Sequence, residues 1–153
     1  MTRLEAWFLH IATLLVGGGG LVYAWMRYLV RPDDPFAVVN HAWQPAVQHL
    51  HVIAAPLLVF AIGLIFKAHV WAGVRLRVAA RRKSGLALFA TAAPMIASGY
   101  LLQTATDPYW RQAWLVIHLI ASALWLAGYL AHQVSSRLTA RAQPAHRPSP
   151  RPR

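Results

Sequence analysis

His118 and His132 stand fourteen residues apart within "WLVIHLIASALWLAGYLAH", residues 114 to 132, a stretch otherwise apolar enough for lipid. At about 100° and 1.5 Å per residue of α-helix, that spacing leaves the two imidazoles about 40° apart in azimuth and about 21 Å apart along the axis. They share one helix face at two depths. Imidazole is a nitrogen ligand for iron, copper, nickel or zinc, and an ionisable side chain inside a spanning helix marks function by default where a partner exists.

The elements that must position these side chains are membrane helices. The chain has 153 residues, of which 58% are hydrophobic and only 12% charged, a balance outside the usual range of soluble domains. Four apolar runs, at about residues 7–29, 47–70, 84–104 and 111–134, each approach the ~20 residues that cross the hydrocarbon core as a helix. The first follows Arg3 but is too long for a signal-peptide core and has no small-x-small cleavage site, so it reads as a retained span. Short loops between the runs predict an all-α, up-and-down four-helix bundle integral to the membrane. The loop "RPDDPFAVVNHAWQPAVQ" predicts a short interfacial helix around Phe36 to Trp43, with Trp43 at headgroup depth.

Net charge is +11, and its placement follows topology rather than a nucleic-acid footprint. Lys67, Arg75, Arg77, Arg81, Arg82 and Lys83 stand between the second and third runs, and Arg137, Arg141, Arg147, Arg151 and Arg153 follow the fourth. The positive-inside rule then puts both termini and the second loop in the cytoplasm. The tail, residues 136–153, is basic and proline-rich with little to pack, and is expected to be disordered beside the anionic membrane surface. Cysteine is absent, which excludes disulfides, thiolate metal sites, iron–sulfur clusters and covalent haem attachment.

Antiparallel spans set the histidines at matching depths. The fourth span runs inward, so His118 is outer and His132 inner; the first starts inside with His10, and the second starts outside with His49 and His51. Two pairs result, His51 with His118 and His10 with His132, and each could clasp one haem iron from both faces, stacking two haems across the bilayer. His49 competes with His51 but lies about 160° away around the helix and less deep in the apolar run. His69 competes with His10, although its separation from His51, about 27 Å, fits the fourth-span spacing poorly. A lone membrane histidine more often hydrogen-bonds a neighbouring helix or sits at the headgroup boundary than binds metal, but four that pair by depth are harder to dismiss. His41 in the outer loop and His146 in the tail read as solvated side chains.

The run "GGGG", Gly17 to Gly20, sits mid-span, where each glycine costs about 1 kcal/mol of helix propensity against alanine. Something approaches closely there. Gly17 is nearly on the face of His10, and Gly128 lies one turn before His132; both make room either for a flat macrocycle or for close helix packing. Pro56 and Pro94 are expected to kink the second and third spans. Trp125 reads as a packing residue between the two levels. Ser98, Tyr100 and Gln103 fall near the outer end of the third span, either as interfacial anchors or as the lining of a quinone pocket.

Taken with these motifs, the chain resembles the four-helix di-haem b-type cytochromes that serve as membrane subunits of nickel–iron hydrogenases and formate dehydrogenases, together with bacterial cytochrome b561 proteins. The resemblance covers nearly everything but the tail. "FLHIATLLVGGGG" is similar to the family's first helix and points to His10; "LHVIAAPLLVF" resembles the second and points to His51; "ASGYLL" resembles the third. The fourth helix of the family carries two histidines fourteen apart, here His118 and His132. The pattern departs from the family in reading "HI" rather than "HW" after the first ligand, in an unusually basic inner loop, and in the extra His69.

The resemblance implies two non-covalent haem b groups, and a bacterial inner-membrane electron-transfer subunit working with a redox partner protein or the quinone pool. Arg111 outside, and Arg75 or Lys67 inside, are the candidate partners for haem propionates. The competing class is a haem-free membrane subunit or a His-lined transporter for a proton or transition metal. The spans contain no Asp or Glu of the sort such pathways use, and the chain shows no nucleophile constellation, carboxylate pair or phosphate-binding loop.

Overall fold

In the computed structural model the described residues are 2–32, 34–66 and 79–142, with side chains described at 2–32, 34–66 and 85–135. His69, Arg75, Lys67 and His146, and most of the tail, lie outside them. The described residues form helices and connecting turns, and four of the helices are long and apolar enough to cross a membrane: Arg3–Tyr28, Gln44–Ile65, Gly85–Thr104 and Pro108–Ser135. The expected all-α, four-span membrane architecture is therefore present. Large apolar side chains along the spans, among them Leu14, Ile53, Phe60 and Leu124, face outward and are exposed, which suits a surface solvated by lipid rather than water.

The chain divides into two compact units, Met1–Arg82 and Lys83–Arg153. In the first, α1 (Arg3–Thr13), a π turn (Leu14–Gly18) and α2 (Gly19–Tyr28) run on as one span. It starts earlier than apolarity alone predicts, because Thr2 and Glu5 form a capping box: the Thr2 hydroxyl accepts from the Glu5 N–H at 3.2 Å, and the Glu5 carboxylate accepts from the Thr2 N–H at 2.7 Å. This span packs antiparallel against α3 (Gln44–Ile65): the Phe8 and Phe60 rings meet edge to face at 6.0 Å near one end, while Val16 and Gly20 meet His51 further along. Their shared core is Leu9, Ala12, Thr13 and Val16 with Ala54, Leu58 and Ala61. Small residues on α3 let the backbones approach, the usual basis of helix association in lipid.

The helix expected around Phe36 to Trp43 does not form; this segment consists of turns and bends. Side chains there satisfy the main chain in competition with a helical ladder. The Asp34 carboxylate accepts from the Phe36 N–H at 2.9 Å, the Asn40 amide donates to the Arg27 carbonyl at 2.8 Å, and the Asn40 N–H donates to the Gln44 side chain at 3.1 Å. Helix resumes only at Gln44, with proline in its first turn.

In the second unit, α4 (Ala79–Thr104) and α5 (Pro108–Ala142) are antiparallel. Met95, Ser98 and Gly99 lie beside His118, whereas Leu88 lies beside Gly128. The core is Ala92, Met95 and Ser98 with Ala121, Trp125 and Tyr129. Trp125 is the packing residue expected, its ring stacked on Tyr129 at 5.5 Å. Pro108 opens α5 and the Asp107 carboxylate accepts from the Trp110 N–H at 3.0 Å, which moves the start ahead of residue 111. At its far end α5 continues to Ala142, so the tail expected to be disordered from residue 136 begins as helix.

Candidate ligand histidines

His51 is half-buried on α3, and its Nδ1 lies 2.9 Å from the carbonyl oxygen of Val16. That carbonyl belongs to the π turn, where the helical ladder is loosened and a main-chain oxygen can take a partner from outside its own helix. The ring lies against the glycine run: a methyl added at Gly20 would stand 2.9 Å from His51 Cε1 and 3.2 Å from Nδ1. The close approach required by "GGGG" is thus made by an imidazole, at Gly20, while a methyl added at Gly19 would stand 3.9 Å from the His51 Cβ. Gly17 is half-buried within the π turn itself.

His118 repeats the arrangement in the other unit. Its Nδ1 lies 3.0 Å from the Met95 carbonyl oxygen and 3.4 Å from the Ser98 hydroxyl, and a methyl added at Gly99 would stand 3.1 Å from its Cε1. In each unit the fourth residue after the one whose carbonyl accepts is the glycine beneath the ring: Val16 and Gly20, Met95 and Gly99. A bare Nδ1 lone pair cannot face a carbonyl oxygen at these distances without repulsion. Both imidazoles therefore carry a proton on Nδ1 and donate it to the main chain.

His132 is half-buried and lines a cleft of about 450 Å³ together with Ala87, Leu88, Thr91, Gly128 and Ser135. Gly128 is thus on the side of His132, where a side chain would press on Leu88 at 3.3 Å. The cleft is largely apolar, with a few polar groups, the composition of small-molecule and cofactor sites. His10 is half-buried on α1, its ring edge-on to Trp7 at 6.3 Å. Because Val16 and Gly20 flank His51, His10 lies roughly 9 to 15 Å along the helix axis from the level of His51. That is shorter than the ~21 Å that separates His118 from His132.

His49 is exposed where His51 is half-buried, in line with the preference for His51. Ser98 departs from both roles read for it: it is 1% exposed and bonds inward, its hydroxyl 2.6 Å from the Pro94 carbonyl, so it neither anchors at the interface nor shares a surface with Tyr100 and Gln103, which are exposed. Arg111 is exposed in the first turn of α5. Among the described residues no three His, Cys, Asp or Glu side chains gather as a metal site. Comparison with protein-family profiles, curated proteins and solved structures returned no match.

Proposed function

We propose that the protein is a membrane di-haem b-type cytochrome carrying electrons across the bilayer between a redox partner protein and quinone, or a second protein, in a bacterial inner membrane. The observation that carries this reading is the pair of half-buried imidazoles, each pinned through Nδ1–H to a carbonyl of the neighbouring helix. An interhelical hydrogen bond needs one polar atom, which serine or asparagine would supply. Imidazole adds a second nitrogen, and imidazole nitrogen is a ligand for transition metals and for haem iron. Fixing a ligand histidine through its other nitrogen is how proteins orient metal-bound imidazole.

The residues fit haem b. A metal ion held by side chains alone takes three or four of them, whereas haem iron needs only two axial donors; the absence of a larger ligand cluster among the described residues favours haem over a transported ion. The apolar cleft at His132 supplies a wall of small side chains against which a flat group can lie. When bound, haem supplies one-electron redox chemistry through a six-coordinate iron. His51, His118, His10 and His132 would be its axial ligands, paired by the depths read from the sequence, with Arg111 facing a propionate at the outer surface. Inward positive charge places both termini in the cytoplasm. The shorter His10 offset in the first unit makes His69 the competing inner ligand.

Single alanine substitutions at the four histidines test the assignment by optical spectroscopy. His51→Ala and His118→Ala are each expected to remove or turn high-spin the same one of two b haems, and His10→Ala and His132→Ala the other. A normal spectrum in His10→Ala transfers the inner site to His69. Full haem content in both His51→Ala and His118→Ala overturns the ligand assignment.

A further inference from the structure

The two imidazole clamps differ in one group. At the position before the glycine, the first unit has Gly19 and the second has Ser98, a polar side chain only 1% exposed. Its hydroxyl lies 2.6 Å from the Pro94 carbonyl, 3.1 Å from the Met95 carbonyl and 3.4 Å from His118 Nδ1. A hydroxyl has one proton to give. The shortest contact takes it, so Ser98 donates to Pro94, and its oxygen lone pairs are left facing the Nδ1–H of His118. That proton is then shared between the Met95 carbonyl at 3.0 Å and the Ser98 oxygen. The donation to Pro94 polarises the Ser98 oxygen and strengthens it as an acceptor, as hydrogen-bond chains do in a low dielectric.

We propose that Ser98 is a positioning residue for His118: beside the Met95 carbonyl it is a second acceptor for the Nδ1–H, sets the ring plane, and raises the electron donation of Nε2 toward a bound metal. The donation to a haem iron rests on the cytochrome reading; the second acceptor and ring position do not. A stronger acceptor at Nδ1–H gives the ring partial imidazolate character, which stabilises the oxidised iron and lowers its potential. The first unit has Gly19 at this position, so this side-chain acceptor belongs to the His118 clamp alone.

The test uses the full-length protein with Ser98→Ala and Ser98→Cys. Cysteine keeps a side chain of similar size but is a weak acceptor, so it separates hydrogen bonding from volume. In haem-free protein, nitrogen-15 resonances of the imidazole, assigned by their loss in His118→Gln, are expected to show the Nδ1–H tautomer throughout, with the Nδ1 resonance displaced in both variants as one of its two acceptors is weakened or lost. In haem-loaded protein one of two midpoint potentials is expected to rise in both variants while the other stays in place. Wild-type behaviour of Ser98→Cys beside a changed Ser98→Ala would reduce Ser98 to a space-filling role and overturn the proposal, as would an Nε2–H tautomer in the wild type. If the Nδ1 resonance responds as expected but no haem is taken up, the cytochrome reading fails and the positioning role stands. If haem binds and neither potential moves, the tuning role fails and the cytochrome reading stands.

Discussion

The glycines beneath the imidazoles are where competing energies can be weighed residue by residue. Alanine at Gly20 or Gly99 would gain about 1 kcal/mol of helix propensity, so in the absence of a neighbour either substitution would stabilise its span. The neighbours reverse that sign. At Gly20 the new methyl would stand 2.9 Å from His51, inside any tolerable contact, and the ring can retreat only by giving up its bond to Val16; at Gly99 the corresponding distance is 3.1 Å, so His118 must give by a few tenths of an ångström. Gly20→Ala is therefore expected to cost about 1 to 3 kcal/mol net through the lost buried hydrogen bond, and Gly99→Ala less, as measured by denaturation in detergent. Equal or increased stability in Gly20→Ala would show that the ring does not sit where it is described. His51 and His118 were legible as candidates because membrane imidazoles stand out against an apolar background. Their partners were not, since a main-chain carbonyl leaves no mark in a sequence, and Ser98 reads identically whether it faces lipid headgroups or an imidazole.

At the scale of elements, the π turn Leu14–Gly18 explains how a glycine run can be tolerated in mid-span. A π turn is one residue inserted into an α-helix, and here the carbonyl it offers is taken by His51. In haem-free protein, deleting Gly17 is expected to restore a continuous α-helix, redirect the Val16 carbonyl and release His51 from its Nδ1–H bond, with no change to the environment of His118. Solid-state or micelle NMR of labelled histidine would record one altered imidazole and one unaltered. Apolar run length located all four spans but missed their ends, and the reason is specific in each case. The Thr2–Glu5 capping box and the Asp107–Pro108 start are polar, so a hydropathy window excludes them although their residue types announce a helix N-terminus. The outer loop was read as helix because its apolar residues were weighed above Asp34 and Asn40, whose side chains bond the main chain instead.

Over the whole molecule, the proposed depths of the histidines follow from the charge asymmetry, since the positive-inside rule is what makes His118 the outer and His132 the inner histidine of the fourth span. Cysteine introduced at Val38, 92% exposed in the first loop, is expected to react with a membrane-impermeant thiol reagent only from outside the cell, and cysteine replacing Arg77 only after the membrane is opened. The reverse pattern would invert the assignment of depths without touching the clamps themselves. The fold class was legible because lipid imposes long apolar helices on any spanning chain. The proposed cofactor rests on imidazole spacing and a family resemblance, and it is the claim on which the account turns. Its most direct test is haem content by pyridine haemochrome on the full-length protein purified from haem-replete cells. Two b haems per chain is the predicted result; a well-folded protein with none would contradict the cytochrome assignment.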